Sequence, residues 1–402
     1  MKIIEKKYNI IIIFAAATIS LAGILYLKNS DSTTDINCAT LAQYTQNQAV
    51  ALEYDTAAVA VQSRLNALFE ERHRQAGFNG AALVAVNGKI VFEKYMGYGD
   101  VEQRDTLTPE SLFHIASVSK TFTGMGILWL QTHHFLNIND AVCQYLPTFP
   151  YPELQIKHLL MHRSGLSNYS YFAEPIWKDR VGLLTNEAVL HLLDSLKLPL
   201  INPPDTHFQY CNTNFVVLAQ VIQKASGMAY ADFLGCVFFK PLGMTHTRVY
   251  QPAVQPQLPE NGTRNYMRNA RYGLEFDDGT YGDKNIYSTV QDLYKWDKAL
   301  NTLNLVDAQL LQAAYTPYSN EHAGLKNYGL AWRLLCYPDG KKIVYHNGWW
   351  HGNCASIYRF GDEKLTFIVL ANKYNRSTYQ MQPLYDAVHG EAKAADMEFA
   401  EE

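Results

Sequence analysis

The chain has 402 residues, enough to bury one large core or two lobes that share one. Hydrophobic residues make up 48%, charged residues only 18%, and the formal net charge is -4. No basic block with interleaved aromatic residues occurs, so nucleic acid is not an expected partner. Six scattered cysteines (38, 143, 211, 236, 336 and 354) form no Cys-x-x-Cys, which argues against a zinc ribbon or thioredoxin-type site.

Lys2, Lys6 and Lys7 precede an uncharged, mostly apolar stretch over residues 10–27. As a helix it would span about 27 Å, close to a bilayer core. Leading lysines keep that end in the cytoplasm and export the remainder. The run ends Leu25-Tyr26-Leu27-Lys28 without a small-x-small cleavage site, so an uncleaved inner-membrane anchor is favoured over a cleaved signal peptide. The expected organisation is a signal or anchor over 1–28, a linker over 29–55, one domain over 56–391 and an acidic tail over 392–402. Export permits disulfides. Cys336 and Cys354 flank an expected hairpin and are the candidate pair, while most of the six read as free buried thiols.

A helix is expected over 56–76. Two strands, 81–86 and 89–95, follow around Asn87-Gly88, a strong short hairpin signal. A buried helix then starts near Ala116. Short helices and loops occupy 133–242, including 156–160, 186–196 and 215–224. Residues 251–281 read as an irregular excursion, and a helix resumes over 289–300 with Ser288 or Thr289 as a cap and Asp292 at the capping-box position. Strands return at 328–336, 342–346, 355–360 and 365–370, before a last helix over 378–389. Strands at both ends with helices between them predict one sheet built from the two termini plus an inserted helical lobe.

Three constellations carry chemistry. Ser117 and Lys120 stand three apart at the start of the buried helix, so they share a face about one turn apart. Free N–H groups and the positive helix end there favour a developing oxyanion. A neutral lysine beside a serine is a nucleophile with its base attached. Tyr210-Cys211-Asn212 precedes another helix: a phenol near a lysine can share its proton and act with it as general base, and the Asn212 amide suits a lysine or a substrate amide. His346-Asn347-Gly348-Trp349 lies on a strand, where a small glycine lets a substrate backbone lie close and His346, partly charged at neutral pH, can meet a substrate carboxylate. His322-Ala323-Gly324 is set aside because it precedes a strand. There is no Gly-x-Ser-x-Gly elbow and no His-Glu-x-x-His. His158 and His162 are four apart but lack a third ligand at a recognisable spacing, so neither metal nor cofactor is expected.

In this order, Ser117-Val118-Ser119-Lys120, Tyr210-Cys211-Asn212 and His346-Asn347-Gly348 resemble the serine β-lactamase and penicillin-binding-protein superfamily, on its class C side. Leu159 to Leu166, Lys240 to Thr247, and Ile286 to Thr289 with Asp292 and Trp296 look like the same family. The resemblance spans roughly 65–389. It implies an α/β (α+β) fold with an antiparallel sheet, flanking helices and a helical lobe, the site lying between the lobes. It implies Ser117 as acylated nucleophile, Lys120 as proton acceptor, Tyr210 as partner base, and the N–H groups of Ser117 and Trp349 as oxyanion hole. Substrate binding then falls to Asn212, His346, Gly348 and Trp349. Where β-lactamases carry Lys-Thr-Gly this chain has His-Asn-Gly, which is more like the family's esterases and peptidases. The expected function is an exported serine hydrolase acting on esters or amides of D-amino-acid peptide or cell-wall type. A true β-lactamase or DD-peptidase, and a non-catalytic binding protein on the same fold, are the alternatives. The expected partner is a small-molecule or peptide substrate; oligomeric state is not legible.

Overall fold

The computed structural model describes residues 38–42, 44, 49–177, 182–303, 305–321, 323–390 and 399. The expected anchor over 10–27 and most of the acidic tail lie outside these residues, as does His322. Among the described residues, no helix is long and apolar enough to cross a membrane.

Helix α1 (Val59–Ala76) leads into strands β1 (Gly80–Val86) and β2 (Lys89–Met96). Asn87 and Gly88 take φ values of 52° and 81°, the left-handed pair a two-residue hairpin turn requires. The remaining strands of the main sheet come from the other end of the chain: β3 (Lys326–Tyr328), β4 (Arg333–Cys336), β5 (Lys342–Trp350), β6 (Asn353–Phe360) and β7 (Leu365–Ala371). The seven-stranded order is β3-β4-β5-β6-β7-β1-β2, and every adjacent pair is antiparallel. Pairing Gly80 with Ala371 and Val86 with Leu365 stitches the two termini together, as the strand distribution predicts.

Strand alternation divides the core in two. Ala81, Leu83 and Ala85 of β1, with Ile368 and Leu370 of β7, face the helical lobe. Ala82, Val84, Phe367, Val369 and Ala371 face α1 and the C-terminal helix α6 (Gln382–His389). Both faces are covered, so these strands read in sequence as unbroken apolar runs. The inserted lobe contains α2 (Ser119–Thr132), α3 (Asn186–Leu196) and α4 (Asn212–Ser226), and α5 (Val290–Thr302) closes it against the sheet. Buried Arg359 of β6 donates to Asp297 of α5 at 2.5 Å and to Asn301 at 2.7 Å, while Thr366 completes the carboxylate at 2.6 Å.

Three local expectations are corrected. The strand expected over 328–336 breaks at Gly329–Trp332, where Ala331 turns left-handed (φ 66°) and donates to Leu160 O at 3.0 Å. That loop lies against Gly124, at which a Cβ would come within 2.2 Å of Ala331 Cβ, so helix contact outcompetes strand continuation. Thr289 caps α5 by accepting from Asp292 N at 3.1 Å, but the Asp292 carboxylate serves His246 N, Thr247 and Lys295 rather than returning to the cap. Cys336 and Cys354 are both free. They pair with Lys342 and Trp349, at opposite ends of β5, which keeps them apart. The disulfide instead joins Cys38 to Cys236, tying the segment before α1 to the helical lobe.

Candidate active site

The turn that carries Ser117 is a strained piece of backbone. Ala116 has φ 47°, a left-handed value uncommon for a residue with a side chain, at a cost of order 1–3 kcal/mol. Three contacts hold it. Ile115 N donates to Ile286 O at 2.9 Å, Val118 N to Ile115 O at 3.1 Å, and Ala116 N to His114 Nδ1 at 3.2 Å. His114 Nε2 in turn meets Asn285 Oδ1 at 2.8 Å. Accepting at Nδ1 assigns the proton to Nε2, so the ring works as a neutral bracket. Burial drives its pKa down to about 4, against the opposing Asn285 hydrogen bond.

A 3-10 turn over Ala116–Val118 carries Ser117, and α2 carries Lys120. Residues Ser119 to Leu130 of this helix are all buried, so Lys120 is held inside protein on a helix covered around its whole circumference. Its Nζ lies 2.9 Å from Ser117 Oγ and 2.8 Å from the Asp283 carbonyl. That carbonyl belongs to a braced segment: Gly282 O accepts from Thr123 at 2.6 Å, and the Asp283 carboxylate accepts from Tyr169 at 2.9 Å. Lys284, also buried, donates to Tyr169 at 2.6 Å.

Tyr210 closes the site from the helical lobe. Its ring centroid is 5.1 Å from Lys120 Nζ, and its hydroxyl is buried without a hydrogen-bond partner. His162 packs against that ring at 4.2 Å. The Nδ1 of His162 accepts from Cys211 N and faces Asn214 Nδ2, both at 3.1 Å, which anchors the tyrosine loop to the start of α4. Burial first, then neighbouring Lys120, pushes the His162 pKa well below the usual histidine range. The sequence motif offered His162 only as a weak metal candidate with His158. In the structure His158 turns back to its own helix, where Nδ1 accepts from Gln155 N at 3.2 Å. Among the described residues no group of His, Cys, Asp or Glu is arranged to hold a metal ion. Asn212 opens α4 beside the cleft, with its Oδ1 buried and unpaired.

Strand β5 forms the opposite wall. A Cβ on Gly348 would lie 2.4 Å from Ile115 O and 2.9 Å from Ser117 N, so only glycine lets the strand touch the turn that carries Ser117. Trp349 follows and is 59% exposed. His346 departs from expectation. It is fully buried rather than presented to the cleft, its Nε2 is 3.2 Å from the Tyr328 hydroxyl and its Nδ1 is 2.8 Å from Asn347 O. Burial, then Arg333, then Lys120 hold its pKa well below the ordinary value, so it is neutral at pH 7, not partly charged. The cation on this wall is Arg333 of β4, whose guanidinium sits 5.2 Å from the Tyr210 ring centroid. Nothing in its strand context marks Arg333 in the sequence, because its role depends on β4 lying beside β5.

Ser117, Tyr210 and Trp349 line two confluent cavities. One, about 390 Å³, also takes in Asn212, Met267, Tyr272, Glu275, Trp350 and His351. The other, about 300 Å³, takes in Arg333, Asn347, Gly348, Tyr374, Arg376 and Tyr379. A separate cavity of about 230 Å³ lies behind the Trp350–His351 wall, around His114 and Tyr287.

Comparison with known proteins shows which family the chain belongs to. The Beta-lactamase family model matches residues 65–390. Penicillin-binding protein 4* of Bacillus subtilis (strain 168) is 33% identical over 338 residues, covering 81% of this chain and 75% of the relative. Teichoic acid D-alanine hydrolase of Staphylococcus aureus is 28% identical over 320 residues, covering 77% of this chain and 74% of the relative. A class C β-lactamase structure superposes with TM-score 0.70 at 19% identity, covering 87% of this chain and all of that one (100%), a likeness of fold. With a family match over most of its length and a penicillin-binding relative above 30% identity, the chain belongs to the β-lactamase family of serine hydrolases.

Proposed function

We propose that this protein is an exported hydrolase that forms an acyl-enzyme on Ser117 and acts on ester or amide bonds of D-amino-acid or cell-wall type. The observation that carries the reading is the 2.9 Å contact between a fully buried lysine ammonium and Ser117 Oγ. A lysine so placed is within reach to take the serine proton as Oγ bonds to the substrate carbonyl. The N–H groups of Ser117 and Trp349 receive the oxyanion, a role supported by the closeness of Gly348 to Ser117 N. As the scissile bond breaks, Tyr210 and Lys120 pass the proton to the departing alcohol or amine. Water then enters, loses a proton to the same pair, and releases the acid. Export is supported by the Cys38–Cys236 disulfide, a bond of oxidising compartments, and by relatives named for penicillin binding and teichoic acid.

The β-lactamase alternative is weakened by His346. Its imidazole is buried and neutral, so this position brings no charge to a β-lactam carboxylate. The name of the Staphylococcus relative makes D-alanyl esters the first substrates to try.

The test is a fluorescent phosphonate probe, followed by a panel of D-alanyl esters, a peptide ending in D-Ala-D-Ala and a chromogenic cephalosporin. Wild type should be labelled and Ser117→Ala should not. Tyr210→Phe should slow deacylation at least as much as acylation. Equal labelling of wild type and Ser117→Ala would remove the nucleophile assignment, and cephalosporin turnover matching the best ester would make β-lactamase the function.

A further inference from the structure

Lys120 and Tyr210 come from different elements, one from α2 and the other from the loop before α4. The Tyr210 hydroxyl has no hydrogen-bond partner to hold it in place. Their spacing therefore depends on the segments that carry them. Those segments converge on Tyr169, which opens a short helix over Tyr169–Ala173. The Tyr169 N–H donates to Thr213 Oγ1 at 2.7 Å, and the Thr213 hydroxyl donates to Ser167 O at 2.7 Å. Thr213 stands in the first turn of α4, just after Tyr210. At the other end, the Tyr169 hydroxyl donates to Asp283 Oδ2 at 2.9 Å and accepts from Lys284 Nζ at 2.6 Å, with Thr280 Oγ1 at 2.8 Å. Asp283 is the residue whose carbonyl holds Lys120. One stiff side chain thus runs from the tyrosine loop to the lysine's acceptor.

The chemistry of this connection is consistent along its length. Burial, then Asp283 and Asp277, keep the Tyr169 phenol well above its usual pKa, so it remains a donor. Lys284 supplies the positive charge that a buried Asp283 carboxylate requires. Gly282 lets the segment press on α4, since a Cβ there would lie 2.5 Å from Phe215 O and 2.6 Å from Ala219 Cβ. Tyr169, Thr213 and Thr280 are fully buried and line neither cavity at Ser117, so they reach the chemistry only through the residues they hold.

We propose that Tyr169 is a positioning residue: a strut, braced by Lys284 and Thr213, that sets the spacing of Lys120 and Tyr210 and so keeps the two halves of the general base in register. The inference rests on the acyl-enzyme reading and adds what holds its base together.

The experiment is saturation labelling of the full chain with a neutral fluorescent phosphonate, which separates a maximal rate from a half-saturating concentration. Tyr169→Phe should lower the maximal rate about tenfold or more and leave the half-saturating concentration within about twofold, because base and serine are misplaced while the probe's site is intact. Thr213→Val should slow labelling by a similar factor, and Thr213→Ser, which keeps the hydroxyl, should recover most of the rate. In a Tyr210→Phe background the Tyr169→Phe change should cost no more than about twofold further, since one half of the pair is already gone. Thr366→Val, which cuts the brace to Asp297 far from the cleft, should lower the urea midpoint and leave labelling unchanged. A maximal rate for Tyr169→Phe near that of wild type, or a full loss that persists in the Tyr210→Phe background, would overturn the strut. If Tyr169→Phe does not fold, the Thr213 variants decide: equal rates for Thr213→Val and Thr213→Ser would overturn it. Absence of Ser117 labelling in the wild type would overturn the acyl-enzyme reading and the strut with it.

Discussion

The His346 ring and the Tyr328 hydroxyl are 3.2 Å apart, and the other ring nitrogen is spent on Asn347 O at 2.8 Å. A side chain so enclosed is a strut between β3 and β5. His346→Lys would place an ammonium in this buried pocket beside Arg333 and Lys120. It should therefore destabilise the fold by about 3 kcal/mol or more and should not create cephalosporinase activity. His346→Gln, which keeps polar groups for Tyr328, should cost about 1 kcal/mol and retain measurable esterase activity. Urea midpoints and cephalosporin turnover of the two variants decide this. A stable lysine variant with raised cephalosporin turnover would show that the position reaches substrate after all.

Gly348→Ala tests the contact between strand and nucleophile turn. The new Cβ would meet backbone atoms of Ile115 and Ser117, and backbone does not swing aside. Overpacking of this kind costs about 1–3 kcal/mol. The larger loss should be kinetic, since displacing Ser117 by even 1 Å costs on the order of 100-fold in rate. Comparing probe labelling rate with urea midpoint separates the two. Labelling at the wild-type rate would mean the strand does not set the nucleophile's position.

Three buried histidines give stability a pH dependence of definite sign. His114, His162 and His346 are neutral in the folded protein, with pKa about 4 for His114 and well below 6.5 for the others, chiefly through burial. Unfolded, each titrates near 6.5. Below that value the unfolded chain binds protons that the folded chain refuses, so unfolding becomes easier as pH falls and stability is full only above about pH 6.5. Each histidine contributes up to about 1.4 kcal/mol per pH unit between its two pKa values. Urea midpoints at pH 7.5, 6.5 and 5.5 should fall with increasing steepness. A flat profile across that window would contradict three buried neutral rings.

Reduction of the Cys38–Cys236 bond should lower stability by about 2–4 kcal/mol, because it opens a loop with a sequence separation of 198. Unfolding midpoints with and without reductant measure this, and Cys236→Ala should match the reduced wild type. Mass spectrometry under non-reducing conditions should find the other four cysteines as thiols. A bond between Cys336 and Cys354 would be incompatible with their places at opposite ends of β5.

The sequence by itself determined the hairpin at Asn87-Gly88, the closure of one sheet from both ends of the chain, and the Ser117–Lys120 pair. The hairpin and the Ser117–Lys120 pair are local patterns, written in turn chemistry or a three-residue spacing, while the closure was legible from apolar runs clustered at both ends of the chain. The partner loop at Tyr210 and the strand at Gly348 were legible as an ordered set. What they do to the nucleophile turn was not, because that depends on backbone atoms a few ångströms apart across the cleft. Tertiary structure alone decided the state of His346. In sequence it is a titratable residue before a glycine. In the fold, burial and two nearby cations make it a neutral strut and leave the charge to Arg333 on the adjacent strand. The disulfide follows the same rule, since Cys38 and Cys236 are far apart in sequence and only folding brings their Cα atoms to 5.3 Å.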